Sequence, residues 1–469
     1  MIFTSLDFLI FYALLMVLLV LFKNSDYRQS ILLISSYIFY GWWNPAFILL
    51  ILVSSVQGWY FGLLIDRSSD QRKKSLYLII SLAISLSMLA YFKYFNFIIQ
   101  TIFSMVGAQL DDNFNIILPV GISFFTFQTM SYGIDLKRGK IKVCKSLPQF
   151  MLFVAFFPQL VAGPIVRASE FLPQLHKKVI ITRENILFGL QLFIGGAIQK
   201  VLFADNLSKF VDPVFSTPEL YSAGTLWLAA VAYAVQIFCD FSGYSLMAIG
   251  VARTLGFHLP KNFDMPYVAR SITDFWRRWH ITLSFWLRDY LYVSLGGNRI
   301  STIRTYVNLL ITMLLGGLWH GSSWNFVLWG MLHGLALASH KMWILLTMNV
   351  SDRIKEHYFY KVFAWGLTCI FLLLTWIPFR CRDFDQTISY LKGLMGNTSG
   401  IEWMNPLVLT VLSFVVLWHL LYLLSVSYYT KYPVQRVETI QSQIILGGVL
   451  LAFAMFAPLN TSPFIYFQF

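Results

Sequence analysis

Apolar segments about as long as a membrane-spanning helix recur along the whole chain. A helix needs ~20 mostly apolar residues to cross a bilayer, and here 57% of the 469 residues are hydrophobic and only 12% are charged. The segments lack the sustained apolar–polar alternation of a transmembrane β-barrel. The sequence therefore predicts an all-α, polytopic membrane protein with roughly ten to thirteen crossings. Representative segments are Leu6–Phe22, Ser75–Leu89, Thr305–Leu318, Val362–Trp376, Leu407–Val426 and Ile444–Phe456.

The positive charge of the chain lies in short loops. The 35 lysines and arginines outnumber the 22 acidic residues and give a formal charge of +13. Clusters such as Arg67–Lys74 and Lys137–Lys145 suit cytoplasmic loops beside anionic lipids. We expect the lipid bilayer to be the partner of these loops, and we expect no nucleic acid. The four cysteines have no paired or metal-ligand spacing, so the sequence predicts no metal site.

No soluble domain can be separated from the apolar segments. The longest polar stretch, from about Phe257 to Arg304, mixes basic and apolar residues too closely for a simple span. An interfacial or re-entrant helix pair fits this mixture better. We predict a single multi-pass membrane domain over residues 1–469, with a catalytic core at approximately 110–345.

Two histidines lie within the aromatic-rich apolar stretch Trp319–Gly334. An ionisable residue inside a membrane helix is costly and is a candidate for function. His320 would lie ~24 Å along a straight helix from Arg304, well below the cytoplasmic surface. Desolvation favours the neutral imidazole, which is the form that a general base needs. We predict that His320 is catalytic, the alternative being a core histidine bonded to a neighbouring helix, and that His333 is structural.

A third histidine, His280, lies in the basic motif DFWRRWH. Interfacial anchoring by tryptophan and arginine is one interpretation of this motif. The other is a cationic rim for an anionic ligand, because arginine binds phosphate groups well. A phosphate-bearing acyl carrier such as coenzyme A fits that rim. We assign donor binding to basic, aromatic and amide residues near the histidines, namely Arg277, Arg278, Trp276, Arg288, Trp319 and Asn325.

The chain ends in the aromatic sequence SPFIYFQF. An aromatic-belt anchor is the simpler interpretation, but a chain end can also thread into a cavity. The phenol of Tyr466 would be a poor nucleophile near pH 7 unless a base removed its proton.

Six segments of the sequence carry distinctive motifs. They are FYGWWNP at Phe39–Pro45, PVGISFFTFQTMSY at Pro119–Tyr132, FFPQLVAGPIVR at Phe156–Arg167, CDFSGYS at Cys239–Ser245, DFWRRWHITLSFWLRDYLYVSLGGNR at Asp274–Arg299 and GLWHGSSWNFVLWGMLHG at Gly317–Gly334. Together these segments resemble the membrane-bound O-acyltransferase (MBOAT) family, specifically its bacterial alginate O-acetyltransferase-like branch. The last two motifs are the most specific.

The resemblance implies a ring of tilted helices around a funnel that thins the membrane. It implies that His320 is the central catalytic histidine and that His280 is the second, motif-borne one. The terminal FIYFQF resembles an FxYxxF ending in which the tyrosine is thought to carry the acyl group, so Tyr466 would be the carrier.

By this resemblance the chain is a membrane O-acetyltransferase of the bacterial cytoplasmic (inner) membrane. It would move acetyl from acetyl-coenzyme A, as a donor substrate rather than a bound cofactor, to an extracytoplasmic polysaccharide such as alginate. An extracytoplasmic SGNH-like acetyltransferase or esterase-like partner would complete the transfer, alongside the polysaccharide synthesis machinery.

Two alternatives remain open at this stage. The same family includes D-alanyl and lipid acyltransferases, although the GWWNP-containing region favours the acetylating branch. A transporter or export channel with a proton-relay histidine belongs to another class, but the inverted repeats common in such folds are not evident. The chain has no HExxH, GxSxG or Walker motif, so metalloprotease, α/β-hydrolase and ATPase functions have no support.

Overall fold

The computed structural model is helical throughout the part of the chain that it describes. It describes residues 1–22, 25–107, 116–177, 179, 181–348, 351–396, 399–431, 447–448, 451–453, 455–458 and 464–465. Within these ranges the chain forms no strand, and its one isolated β-bridge joins Tyr221 to Ile401. The predicted all-α class is confirmed.

Twenty α-helices lie within the described ranges. They are α1 (Leu6–Leu21), α2 (Ser25–Gly41), α3 (Ile48–Arg67), α4 (Gln71–Leu89), α5 (Phe95–Met105), α6 (Ile122–Lys137), α7 (Leu147–Ala155), α8 (Phe157–Leu160), α9 (Ala168–Leu175), α10 (Arg183–Ala197), α11 (Asp205–Ser216), α12 (Ala223–Thr254), α13 (Ile272–Arg278), α14 (Ile281–Trp286), α15 (Thr302–His320), α16 (Trp324–Leu346), α17 (Asp352–Glu356), α18 (Tyr358–Arg380), α19 (Phe384–Gly396) and α20 (Pro406–Lys431).

Among the residues that the structure describes, six helical segments are long and apolar enough to cross a membrane. They are Pro45–Arg67, Gln71–Met105, Arg183–Ser216, Ala223–Thr254, Tyr358–Arg380 and Pro406–Leu423. The count of ten to thirteen crossings also included shorter apolar segments, such as the 16-residue helix α1. Several long apolar helices are what a multi-pass membrane protein requires.

The chain divides into two compact units. One comprises Met1–Phe193 and Tyr244–Pro260, and the other comprises Ile194–Gly243 and Lys261–Phe469. In the first unit, α3 packs against α4, α6 and α7. In the second unit, α15 packs along α16, and α16 packs against α13 and α18. The single domain over 1–469 with a core near 110–345 stays a prediction.

Helix boundaries follow capping residues in the sequence. The GWWNP motif separates α2, which ends at Gly41, from a short turn of 3₁₀-helix that begins at Pro45 and is capped by the side chain of Asn44. Ser271 and Ser301 cap α13 and α15, because each hydroxyl accepts a hydrogen bond from the backbone amide three residues later. These caps fix where α13 begins, within the polar stretch, and where α15 begins, at the end of that stretch.

Glycines allow α15 and α16 to pack backbone to backbone. A Cβ on Gly317 would overlap the carbonyl oxygen of Phe326, and one on Gly330 would overlap that of Met313. Close approach of this kind is possible only where the side chain is absent. The α15 helix then ends at His320, and the chain turns through Gly321 before α16 begins.

In the described part of the chain, three wide, π-type turns interrupt the helices. They cover Ala90–Tyr94, Ile198–Ala204 and Leu287–Tyr292. Turns of this type are rare and are frequent at functional sites. The second and third contain Lys200 and Arg288, and both belong to the second compact unit.

Candidate functional site

His320 is enclosed by aromatic rings at the end of α15. Its side chain is buried, with 4% of the residue exposed. Its ring centroid lies 4.9 Å from Trp319, 5.1 Å from Trp329 and 5.2 Å from Phe379. The three contacts are edge-on, as is usual for aromatic pairs. Three aromatic rings therefore enclose His320 and restrict the plane of its ring.

His280 occupies a left-handed backbone conformation between α13 and α14. Its φ of 41° is unfavourable for any residue with a Cβ. The residue is fully buried, and its Nδ1 lies 3.1 Å from Oδ1 of Asn262. The same Oδ1 accepts hydrogen bonds from the backbone amide of Thr282 at 3.3 Å and from its hydroxyl at 2.9 Å. Asn262 therefore connects His280 to the start of α14.

These hydrogen bonds determine the tautomer of His280. The backbone amide of Thr282 can only donate, so the Asn262 atom that it meets is the amide oxygen and not the nitrogen. An oxygen acceptor requires the proton of a neutral imidazole to be on Nδ1. Nε2 then carries the lone pair, and it has no hydrogen-bond partner among the described residues. This nitrogen can accept a proton or a hydrogen bond.

Trp319 packs against both histidines. Its ring centroid lies 5.6 Å from that of His280 and 4.9 Å from that of His320. Both rings meet it at steep angles, 64° and 80°. The two candidate catalytic histidines therefore belong to one cluster within the second unit.

A cavity of about 330 Å³ lies beside this cluster. Its volume is at the lower end of those of small-molecule pockets. Its wall includes Trp276, Arg288, His340 and Lys341, and the Nδ1 of His340 is hydrogen-bonded to Thr273 at 2.8 Å. Most of the remaining wall is apolar. The cavity therefore combines an apolar interior with cationic or ionisable groups.

Two tryptophans separate the cavity from His320. Trp276 lines the cavity and meets Trp329 with ring centroids 5.8 Å apart, and Trp329 packs on His320 at 5.1 Å. The residues that line the cavity do not include His320. Trp276 and Trp329 therefore form a chain of ring contacts from the cavity wall to His320.

The other predicted donor-binding residues have varied positions. Arg288 is exposed, pairs with Asp289 at 2.7 Å and lies over a phenylalanine ring. Arg277 is exposed and lies at the end of α13. Asn325 is buried, and it donates a hydrogen bond to the carbonyl oxygen of Cys381 at 2.9 Å. Trp276 and Arg288 are thus the two predicted residues that share the cavity.

Arg278 fixes the loop that contains Asn262. It forms an ion pair with Asp274 at 2.9 Å and also donates a hydrogen bond to the backbone carbonyl of Asp264 at 3.2 Å. Burial acts to raise the pKa of Asp264, but Lys261, Tyr422 and Arg278 together hold that pKa below its usual value. The stabilisation is lost only as the pH falls through this lowered pKa, so the loop stays fixed at neutral pH.

His333 lies on a different helix from His320. Residues 321–323 are not helical, so His320 ends α15 and His333 lies on the separate helix α16. His333 is fully buried and forms a hydrogen bond with the hydroxyl of Thr375 at 3.2 Å. Its ring packs on Trp329 at 4.4 Å. These contacts fit the structural role predicted for it.

A buried ion cluster was missed by the sequence analysis. The ammonium of Lys200 lies 2.8 Å from a carboxylate oxygen of Asp205 and 2.8 Å from one of Asp240. The second oxygen of Asp240 accepts a hydrogen bond of 2.7 Å from the backbone amide of Ile465. A single lysine and a single aspartate within apolar helices were the available signal, since such residues are rarely buried unless paired. Tyr466 lies outside the described residues.

A comparison with protein families identifies the chain. A model of the membrane-bound O-acyltransferase family matches residues 86–377, which is more than half of the sequence. The chain belongs to this family. It is a membrane O-acyltransferase, and it is a multi-pass membrane protein.

Curated relatives of this O-acyltransferase carry out several acyl transfers. A probable alginate O-acetylase of Pseudomonas aeruginosa is 40% identical over 82% of this chain and 73% of its own length. A peptidoglycan O-acetyltransferase of Helicobacter pylori is 37% identical over 80% of this chain and 75% of its own length. A teichoic acid D-alanyltransferase of Bacillus subtilis is 28% identical over 48% of this chain and 60% of its own length.

Proposed function

We propose that this O-acyltransferase moves acetyl groups from acetyl-coenzyme A, across the bacterial cytoplasmic membrane, for the O-acetylation of an extracytoplasmic polysaccharide. The observation that carries the proposal is the cluster in which Trp319 joins His280 to His320, beside a cavity with cationic groups. The cluster supplies proton acceptors in an apolar setting, and the cavity supplies a site for an anionic donor.

The cavity is the proposed site of the donor. Its apolar interior suits the pantetheine arm, and Arg288 and Lys341 suit the phosphate groups of coenzyme A. Trp276 forms the wall on the side of His320. We expect donor binding to move this tryptophan and to admit the thioester to His320, so that water stays excluded until the acyl group enters.

The proposed chemistry is transfer of acetyl from sulfur to oxygen. An acceptor hydroxyl, proposed to be the phenol of Tyr466, attacks the thioester carbonyl while His320 accepts its proton. The new C–O bond forms as the C–S bond breaks, and the proton passes from His320 to the thiolate of coenzyme A. The products are an acetylated tyrosine and free coenzyme A. His280 is proposed to accept a hydrogen bond at its Nε2 and thereby to orient either the attacking hydroxyl or the protonated His320.

A second protein is proposed to complete the reaction outside the membrane. It would be an SGNH-like acetyltransferase or esterase-like protein that transfers acetyl from Tyr466 to a sugar hydroxyl, next to the polysaccharide synthesis machinery. The relatives that acetylate alginate or peptidoglycan support an envelope polysaccharide as the final acceptor. They share 37–40% identity over about four fifths of this chain, against 28% over half for the D-alanyltransferase, which favours acetyl over D-alanyl.

The replacement of His320 by glutamine tests the catalytic assignment. Glutamine keeps a polar side chain of similar length but cannot take up a proton near neutral pH. In membrane vesicles supplied with radiolabelled acetyl-coenzyme A, we expect acetyl transfer to fall by at least about a hundredfold, the usual contribution of general acid–base catalysis.

A matched control is His419→Gln. His419 is another buried histidine in the same unit, and its Nδ1 bonds the carbonyl oxygen of Val415 within α20. This variant should retain transfer at a similar level of protein in the membrane. If His320→Gln transfers acetyl as well as His419→Gln does, His320 is not the base. If only a D-alanyl-loaded carrier protein serves as donor, the acetyl proposal is wrong.

A further inference from the structure

Three charged side chains, one of them on α12, are buried together. Lys200 lies in the wide turn Ile198–Ala204, Asp205 begins α11, and Asp240 lies within α12. Their side chains are 3%, 1% and 4% exposed. One lysine faces two carboxyl groups, so it cannot by itself satisfy all of their oxygens. A buried carboxylate of this kind is stable only if further donors satisfy it.

The C-terminal segment supplies one of those donors. Lys200 contacts Oδ1 of Asp240, and the backbone amide of Ile465 donates to Oδ2 at 2.7 Å. Ile465 is 2% exposed and the preceding Phe464 is fully buried. The bond joins residues 225 positions apart in the chain. The carboxylate of Asp240 is therefore shared between the lysine that fixes it and the backbone of the C-terminal segment.

The residue next to Asp240 connects this bond to the catalytic cluster. The ring of Phe241 lies 5.6 Å from that of Phe464 and 4.7 Å from that of His280, both edge-on. His280 in turn packs on Trp319 at 5.6 Å. Within α12, Asp240 thus contacts the C-terminal segment, and the next residue, Phe241, contacts the candidate catalytic histidine His280.

We propose that Asp240 is a positioning residue, which binds the backbone of Ile465 and thereby sets the path of the C-terminal segment beside the catalytic cluster. The inference rests on the proposed function, because the residue that follows Ile465 is Tyr466, the proposed acyl carrier. Lys200 forms an ion pair with the carboxylate of Asp240, and that carboxylate accepts a hydrogen bond from the backbone amide of Ile465, the residue before Tyr466.

Recognition through the backbone leads to a specific expectation for position 465. The bond uses the amide hydrogen, so the side chain of Ile465 is interchangeable as long as it fits the buried space. Proline is the exception, because it has no amide hydrogen. Ile465→Pro should remove the bond to Asp240, whereas Ile465→Val should keep it.

The first experiment measures acetylation of Tyr466. The purified full-length protein in nanodiscs is mixed with acetyl-coenzyme A, and mass spectrometry of the C-terminal peptide follows the acetyl group over time. Relative to Ile465→Val, we expect Ile465→Pro to acetylate Tyr466 on the order of ten to a hundred times more slowly, as loss of a hydrogen bond to a charged group predicts. The KM for acetyl-coenzyme A should be unchanged, which a general structural defect of the catalytic cluster would not give.

The second experiment needs no acyl donor. Hydrogen exchange with fragmentation of the C-terminal peptide reports the Ile465 amide directly. We expect the amide to exchange on the order of tenfold faster, or more, in Asp240→Leu than in the wild type. Asp205→Leu is the matched control, because each variant leaves Lys200 with one carboxylate but only Asp205→Leu keeps the acceptor for Ile465. The control should retain slow exchange.

Three results would overturn the proposal. Equal exchange of the Ile465 amide in the two leucine variants would show that Asp240 does not hold the segment. Equal acetylation of Tyr466 in Ile465→Pro and Ile465→Val would show that the bond does not position the carrier. If the wild-type protein protects the Ile465 amide from exchange but never acetylates Tyr466, Asp240 has only a structural role. Both the positioning role and the tyrosine carrier would then be refuted. The His320→Gln assay would still decide the acetyl transfer itself.

Discussion

Asn262→Ala should destabilise the protein and reduce catalysis, by amounts that can be worked from three hydrogen bonds. The Asn262 oxygen accepts from Nδ1 of His280 at 3.1 Å, and from the amide and hydroxyl of Thr282 at 3.3 and 2.9 Å. Each such bond contributes about 1 kcal/mol net, so their loss should cost about 3 kcal/mol. If 1 kcal/mol moves the melting temperature by about 2 °C, as in soluble domains of this size, the variant should melt ~6 °C lower.

The catalytic effect has a separate cause. Without Asn262 the proton of a neutral His280 is no longer confined to Nδ1, and the left-handed backbone of His280 loses its restraint. Since oriented acid–base groups contribute roughly 10²–10⁴ in rate, we expect acetyl transfer to fall by ~100-fold. Asn262→Asp keeps an acceptor oxygen for all three donors and should restore most of the stability and activity.

The assay compares melting in detergent with acetyl transfer in vesicles. Asn308→Ala is the control for stability alone, because Asn308 is buried and donates to the carbonyl oxygens of Leu295 and Gly297 at 3.1 and 3.0 Å without contacting His280. It should melt lower by a comparable amount but retain far more activity. Wild-type melting of Asn262→Ala, or an activity loss no larger than that of Asn308→Ala, would refute the reasoning.

Three further pairs of variants test backbone strain, helix packing and donor binding. His280→Gly should be more stable than His280→Ala by about 1 kcal/mol in chemical denaturation, because glycine adopts the left-handed conformation without the Cβ penalty. Gly317→Ala should lower the melting temperature, since a Cβ would overlap a carbonyl oxygen of α16, whereas Gly366→Ala, with open space around it, should not. Arg288→Gln should raise the KM for acetyl-coenzyme A about tenfold with little change in kcat, as expected for a lost phosphate contact, whereas the exposed Arg304→Gln should alter neither.

Each of these has a clear contrary result. Equal stability of the two His280 variants would mean that the left-handed backbone carries no strain in solution. Equal melting of the two glycine variants would mean that α15 and α16 are not in close backbone contact. A fall in kcat at constant KM for Arg288→Gln would place this arginine at the reacting bond instead of at the donor phosphates.

The sequence was sufficient for the fold class and for the composition of the histidine cluster. Apolar length predicted the helices, and the GWWNP motif coincides with the end of α2. His280 and His320 lie 40 positions apart in the sequence, and in the structure Trp319 joins them. What could be predicted here was local: helical length and rare ionisable residues in apolar surroundings.

The missed residues share a physical reason. Asn262 acts on His280 from 18 positions away through a loop whose path no periodicity specifies. Asp240 meets Ile465 across 225 positions, and only the packed helices decide which buried lysine it pairs with. A lone charge in an apolar helix predicts that a partner exists but does not identify it.

The wide turn at Ile198–Ala204 brings Lys200 and Asp205, five positions apart in the chain, to the same side of the helix. A π-type turn holds one more residue than an α-helical turn of the same rise. In a regular α-helix the same two residues would be offset by ~140° around the axis, at ~100° per residue. Any change that returned this segment to α-helical winding at its present length should therefore separate the lysine from Asp205, even though the segment is apolar and looks interchangeable.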